Sequence, residues 1–169
     1  MSTNEILKKT IYTLDEGRLL GEIRDIYLNT EMSKVMAVFL GKEGLLFNRK
    51  TLVIPVSEIK LMGVDCWLVS NANAMIDLAQ LEGGKDMIKL SEAKGREITT
   101  VNGTAIGTLG DVVLNLQGEV KAFSLAKVSV QGPLAQSKEL ARAAVTFLGD
   151  SKRPMVADLH EAEIRAMSK

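Results

Sequence analysis

The chain has one histidine, His160, and one cysteine, Cys66, so few side chains offer nucleophile or near-neutral proton chemistry. Nucleophilic catalysis needs a Ser or Cys beside a base. His160 instead lies among Glu161, Glu163 and Arg165, a polar stretch that reads as the surface of a helix. Cys66 adjoins Trp67 in an apolar run and follows Asp65, whereas a reactive thiol needs a basic neighbourhood. A lone Cys forms no intrachain disulfide, and a lone His builds no His-based metal site. Gly103, Gly107 and Gly110 have the wrong spacing for a dinucleotide turn, and Gly41-Lys42 lacks the Walker spacing. No cluster of Arg, Ser and Thr stands out as a phosphate site for flavin. Asp25 and Asp111 lie in apolar strands, where a buried carboxylate must accept hydrogen bonds, and they read as fold-forming rather than catalytic. The sequence therefore predicts no enzyme, no cofactor and no metal.

Composition excludes further classes. Lys plus Arg number 21 and Asp plus Glu number 21, so the basic excess usual in a nucleic-acid binder is missing. Lys8-Lys9, Arg49-Lys50 and Lys152-Arg153 are local basic pairs, but the chain has few aromatic rings on which bases could stack. Apolar residues make up 46% and charged residues 25%, which is ordinary globular composition. No run reaches the roughly 18 apolar residues that cross a bilayer. Glu5, Lys8 and Lys9 interrupt the first residues where a signal peptide would have its apolar core, and the expected location is the cytoplasm.

The elements that position these residues come twice. Gly21-Glu22-Ile23-Arg24-Asp25-Ile26-Tyr27-Leu28-Asn29 aligns with Gly107-Thr108-Leu109-Gly110-Asp111-Val112-Val113-Leu114-Asn115 at an offset of 86 residues. Gly17 lies above Gly103, and Leu61-Met62-Gly63 above Phe147-Leu148-Gly149, at the same offset. Val35-Met36-Ala37-Val38 aligns with Val120-Lys121-Ala122-Phe123 after the loss of one residue. Nearly the same offset across separated blocks indicates two copies of one module.

Each copy reads as short strands joined by tight turns. Asn102-Gly103 predicts a two-residue hairpin with positive φ at both positions, and Asp15-Glu16-Gly17 a slightly longer loop. Long strands follow at 19–28 and 105–116, then at 34–40 and 119–130, with further strands at 51–55 and 66–70. The strand through Ile23, Ile26, Tyr27 and Leu28 is apolar on both faces, which calls for a core on one side and a neighbour on the other. Short helices are expected at 74–81, ended by Gly83-Gly84, at 134–143 after Pro133, and at 159–167, capped by Asp158. The fold class is mainly β, two tandem small β-barrels with a few short helices. The first module is expected at 1–76, a helix and glycine linker at 77–88, and the second module with its C-terminal helix at 89–169.

The pattern Gly-x-x-Ile-Gly-x-(apolar)-x-Asp-(apolar)-x-Leu-(Asp/Asn) resembles the PRC-barrel family. It is carried by Gly103, Ile106-Gly107, Leu109, Asp111 and Asn115, and again by Gly17, Leu20-Gly21, Ile23, Asp25 and Leu28-Asn29. Val53-Ile54-Pro55-Val56-Ser57-Glu58-Ile59 looks like the family's strand entering its Pro-containing turn, whereas Arg142-Ala143-Ala144-Val145 has no Pro. The resemblance implies a non-catalytic scaffold or adaptor that works through protein partners, with a homodimer or a peripheral membrane complex among the assemblies open to it. A ribosome- or RNA-associated assembly factor is the alternative, and a flavin- or cofactor-binding barrel enzyme the third reading. Gly17, Gly21, Asp25, Asn29, Gly103, Gly107, Asp111 and Asn115 are its fold-defining positions.

Candidates for the contact surface are Arg24, Tyr27 and Val113 on outer strand faces, and the apolar Leu45-Leu46-Phe47 within an exposed loop at 41–50. Exposed, those three residues make a binding knob; folded back, they seat over a barrel mouth.

Overall fold

The computed structural model describes residues 1–168. Its strands are β1 (Thr10–Thr13), β2 (Leu19–Glu22), β3 (Asp25–Leu28), β4 (Val35–Glu43), β5 (Lys50–Pro55), β6 (Ile59–Met62), β7 (Cys66–Val69) and β8 (Ile76–Asp77). There follow β9 (Ile88–Lys89), β10 (Glu97–Thr99), β11 (Ala105–Leu114), β12 (Val120–Val128), β13 (Glu139–Ala141), β14 (Val145–Phe147) and β15 (Met155–Ala157). The α-helices are short: α1 (Leu90–Ala93), α2 (Pro133–Ser137) and α3 (Leu159–Met167). The protein is mainly β. Its residues divide into two compact units. The N-terminal unit comprises Asn4–Thr30 and Lys34–Lys89; the C-terminal unit takes Met1–Thr3, Glu31–Ser33 and the chain from Leu90 onward.

The C-terminal unit is one sheet, ordered β13-β12-β11-β10-β15-β14. The N-terminal unit has two sheets, β2-β1-β7-β6 and β8-β5-β4-β3-β9. The pairings of one repeat in the other. Antiparallel β1/β2 matches β10/β11, and parallel β1/β7 matches β10/β15. Likewise β3/β4, β4/β5 and β6/β7 match β11/β12, β12/β13 and β14/β15. Every ladder is open, with β6 and β14 at edges, so neither unit is ringed by one continuous set of strand pairings.

The strand expected at 19–28 breaks at Ile23-Arg24, whereas its counterpart β11 runs on through Gly110. A Cβ at Gly110 would lie 2.8 Å from the backbone nitrogen of Ala126, too close for any side chain. Arg24 holds the equivalent position and bears a Cβ, so the ladder opens there, and Arg24 N–H turns to the Phe39 carbonyl at 2.8 Å. The paired glycines three residues earlier, Gly21 and Gly107, also differ in cause. Gly107 is required by the carbonyl of Lys127, which a Cβ would strike, while Gly21 meets only the Leu40 side chain but has φ +151°.

Immediately after this corner each strand carries its buried aspartate. Asp25 accepts the amide of Ile26 at 2.8 Å, and Asp111 that of Val112 at 2.9 Å. Asp111 also accepts the Thr3 hydroxyl and pairs with Lys94 at 3.6 Å. Asn29 and Asn115 close the next turns, accepting the amides of Lys34 (3.1 Å) and Glu119 (2.9 Å).

Asn102 lacks the positive φ that the expected two-residue turn requires; Gly103 alone has it, at 83°. Thr100 and Thr104 bracket a three-residue loop, and the Thr100 hydroxyl accepts the Thr104 amide at 3.1 Å. The first copy repeats this one residue longer, with the Thr13 hydroxyl accepting from Arg18 and Gly17 at φ 66°. Ala141 stands where Pro55 stands in the first copy, with nearly the same backbone (φ −55°, ψ 134° against φ −58°, ψ 140°), and each leads into a 3-10 turn.

The expected helix at 74–81 is instead a 3-10 turn at Ala72–Ala74, strand β8, and a second 3-10 turn at Leu78–Gln80. Asp77 caps that second turn and also accepts the amide of Thr51, which ties the segment to β5. The helix after Pro133 stops at Ser137 because Lys138 turns left-handed (φ 53°) and the chain enters β13. The last helix starts where expected, with Asp158 accepting the Glu161 amide at 3.0 Å.

Removing Asp111 leaves two buried donors unsatisfied and removing Asp25 one. We expect Asp111→Ala to lower the unfolding free energy by about 2–4 kcal/mol and Asp25→Ala by about 1–2 kcal/mol; equal losses in urea denaturation would contradict the added role of Thr3. Ala141→Pro should be tolerated, with a gain of about 0.4–1 kcal/mol, because the native φ already suits proline; a loss of stability would show that the two turns are not equivalent. Asp150 has its carboxyl pulled down to about 2, chiefly by the hydrogen-bonded Arg153 guanidinium and then by the Lys152 amide. Its contribution to stability is complete above pH 3.8 and fades as pH falls through about 2. Carboxyl NMR titration should place the Asp150 midpoint near 2, and Arg153→Ala should return it toward 3.8; an unchanged midpoint would clear Arg153 as the cause.

Candidate functional site

β4 and β5 continue their antiparallel pairing beyond the core, through Gly41↔Leu52, Lys42↔Thr51 and Glu43↔Lys50. All nine residues at 42–50 are exposed, so this hairpin projects from the N-terminal unit. At its apex the Asn48 amide donates to the Leu45 carbonyl at 2.7 Å, and Gly44 turns with φ 94°. The apex side chains face solvent: Leu45 is 87% exposed, Leu46 90% and Phe47 104%. Of the two arrangements open to the sequence, the exposed one is found. Lys42, Arg49 and Lys50 flank the apex, with Glu43 as the one acid among residues 42–50. Arg24 reaches the base of the hairpin, its guanidinium 3.6 Å from where a Gly41 Cβ would lie.

A second exposed apolar group lies at the edge of the other sheet. β6 is an end strand, and Leu61 and Met62 on it are exposed, as is Val64 (88%) in the turn that follows. This turn is clamped. The Lys9 ammonium donates to the carbonyls of Gly63 and Val64, and the Gly63 amide to Cys66 at 3.0 Å. In the sequence Leu61-Met62-Gly63 reads only as part of the repeat. An apolar run ending in a Gly turn gives no sign of whether its strand is central or at an edge.

Tyr27 does not belong on an outer face. It is 7% exposed and packs with Ala37, Phe39 and Val53 beneath Ile76, Leu78, Leu81 and Met87. Its ring meets Phe39 edge-on at 6.3 Å, and the Lys89 ammonium lies 3.9 Å over Phe39. The 3-10 turns and short strands of 72–89 thus form the cover on which the second apolar face of β3 depends. Arg24 is exposed. Val113 is half-buried and lines a groove of about 460 Å³ with Ala122, Ala141 and Ile164 in the C-terminal unit. Leu45, Leu46 and Phe47 therefore stand together at the apex and Arg24 at the base of the same hairpin, while Tyr27 is core and Val113 belongs to the other unit.

The residues tested for chemistry are dispersed. His160 is exposed on the first turn of α3, and Cys66 is half-buried in β7. Of the pair Lys152-Arg153, Arg153 is held by Asp150 at 2.6 Å and stacks over Phe147 at 5.0 Å. Arg142 is held as a structural strut, donating to the Glu31 carbonyl at 2.6 Å; burial lowers its pKa, partly offset by the Glu31 charge. Among the described residues no helix is long and apolar enough to cross a membrane.

No curated protein matches the chain. Residues 1–65, which contain the corner at Asp25, the exposed hairpin, the Pro55 turn and β6, match the family model of the PRC-barrel domain. Such domains are in general protein-interaction or scaffold modules. The Asp25 corner and the Pro55 turn thus both fall within the segment, residues 1–65, that matches a PRC-barrel domain.

Proposed function

We propose that the protein is a non-catalytic cytoplasmic adaptor built from two PRC-barrel modules, the second being the C-terminal unit. Support for the second module is the repeated order of pairings and the matching backbone at Pro55 and Ala141. One observation carries the adaptor reading: the N-terminal unit gathers exposed apolar side chains at two separate points, the 45–47 apex and the β6 edge. An adaptor needs two attachments, and large apolar side chains kept in water are surface held for a partner.

β6 suits an extended segment of another protein. Its outer edge has free backbone groups for strand addition, and Leu61 and Met62 supply the apolar contact beside it. Lys60 in the same strand disfavours pairing with the β6 of a second copy, because antiparallel self-pairing would bring like charges together. The preferred partner is therefore a different chain, with acidic or neutral residues opposite Lys60.

A tagged pull-down from native cytoplasm, split into nuclease-treated and untreated halves, tests this. Wild-type protein should retain a partner in both halves, and Leu61→Lys with Met62→Lys should reduce its recovery at least about ten-fold at unchanged thermal midpoint. Recovery indifferent to these changes would sink the β6 assignment. Ribosomal proteins that disappear with nuclease would replace the adaptor by an assembly factor.

A further inference from the structure

We infer that the Leu45-Leu46-Phe47 apex is an insertion finger for an anionic lipid surface. The inference rests on the adaptor reading in taking the apex as an attachment point, and it names what is attached. Three observations favour a bilayer over a protein groove. The three apolar side chains are consecutive at the tip of a projecting hairpin, nearly fully exposed, and can enter a soft apolar layer together. The charge around them has mainly one sign. Lys42, Arg49 and Arg24 make no ion pair among the described residues, and the single acid, Glu43, lies across the ladder from Lys50. Protein interfaces are depleted of lysine, whereas a cationic collar matches a plane of anionic headgroups.

The spacing also fits. Lys42 precedes Leu45 by three residues and Arg49 follows Phe47 by two. At about 3.4 Å per residue the collar stands about 7–10 Å behind the apex, within the roughly 5–10 Å depth at which amphipathic segments settle at the headgroup boundary.

The same connection in the second copy provides an internal contrast. Between β12 and β13 the chain forms α2, and its apolar residue Leu134 is fully buried. The fold can close this connection over its apolar side chain, so the exposure at 45–47 is not forced by the topology.

Full-length protein should co-sediment with vesicles of phosphatidylcholine containing phosphatidylglycerol, weakly with phosphatidylcholine alone, and less well as salt rises. Leu46→Ser with Phe47→Ser should weaken binding roughly a hundred-fold, and Lys42→Glu with Arg49→Glu at least about twenty-five-fold. Thermal midpoints should not move, since these side chains touch no core. Phe47→Trp should shift its emission to the blue on anionic vesicles and be quenched by brominated acyl chains. No binding to anionic vesicles, or binding indifferent to the apex serines, would overturn the assignment. So would loss of a soluble protein partner from vesicle-free lysate on the apex substitutions. If vesicle binding fails while the β6-dependent partner is retained, the lipid assignment falls and the adaptor stands. If vesicle binding holds while no partner depends on β6, the adaptor falls and the lipid site stands.

Discussion

Each unit depends on a parallel pairing between its first strand and a strand near its end, Ile11↔Trp67 in one and Ile98↔Met155 in the other. Parallel neighbours cannot be joined by a tight turn, so the chain between must travel away and return. Here it does so through β2 to β6 in one unit and through β11 to β14 in the other. Ile11, Trp67, Ile98 and Met155 are all buried, so the pairing is also where the apolar surface of the first strand is removed from water. Fixing residues so distant in sequence has an entropic cost that grows only slowly with loop length, which this burial offsets.

Within that frame the long strand must turn a corner, and its aspartate makes the corner possible. A strand that bends loses a ladder partner for some amide, and the Asp25 and Asp111 carboxylates accept the amides of Ile26 and Val112 at that place. The copies then diverge through one residue. Gly110 keeps the backbone close enough to Ala126 for β11 to stay continuous, and Arg24 does not, so one sheet becomes two. Arg24 is thereby left at the base of the exposed hairpin. A local steric difference thus supplies part of a charged surface.

What was legible in the sequence follows from what is local. The repeat, the turn glycines, the paired Asp and Asn positions and the Asp158 cap are short-range chemistry, written in adjacent residues. The fate of Tyr27 was half legible: a strand apolar on both faces demanded a neighbour, but residues 74–88 read as helix and linker and did not show that they supply it. Asp77 is the reason, because its carboxylate serves both its own 3-10 turn and the amide of distant Thr51. The width of the Asn102-Gly103 loop was hidden in the Thr100 hydroxyl. The β6 edge was hidden for a related reason: edge and central strands share one local pattern and differ only in what lies beside them.

The two copies also bear on how exposed surface should be interpreted. Apolar residues at a loop apex invite two explanations, an incomplete fold or a partner. In the second copy the β12–β13 connection coils into α2 behind Pro133, and Leu134 enters the core, with α3 beginning some twenty residues later in the same unit. In the first copy the ladder is extended by Lys42↔Thr51 and Glu43↔Lys50, which add no residue to the core, and its apex carries Leu45, Leu46 and Phe47 into water. Extending a hairpin orders backbone at an entropic cost of about 1–2 kcal/mol per residue without gaining core. The fold has a buried solution for the same connection, so the display of apolar side chains on ordered residues at 45–47 is a property of that hairpin's own sequence and not of the topology.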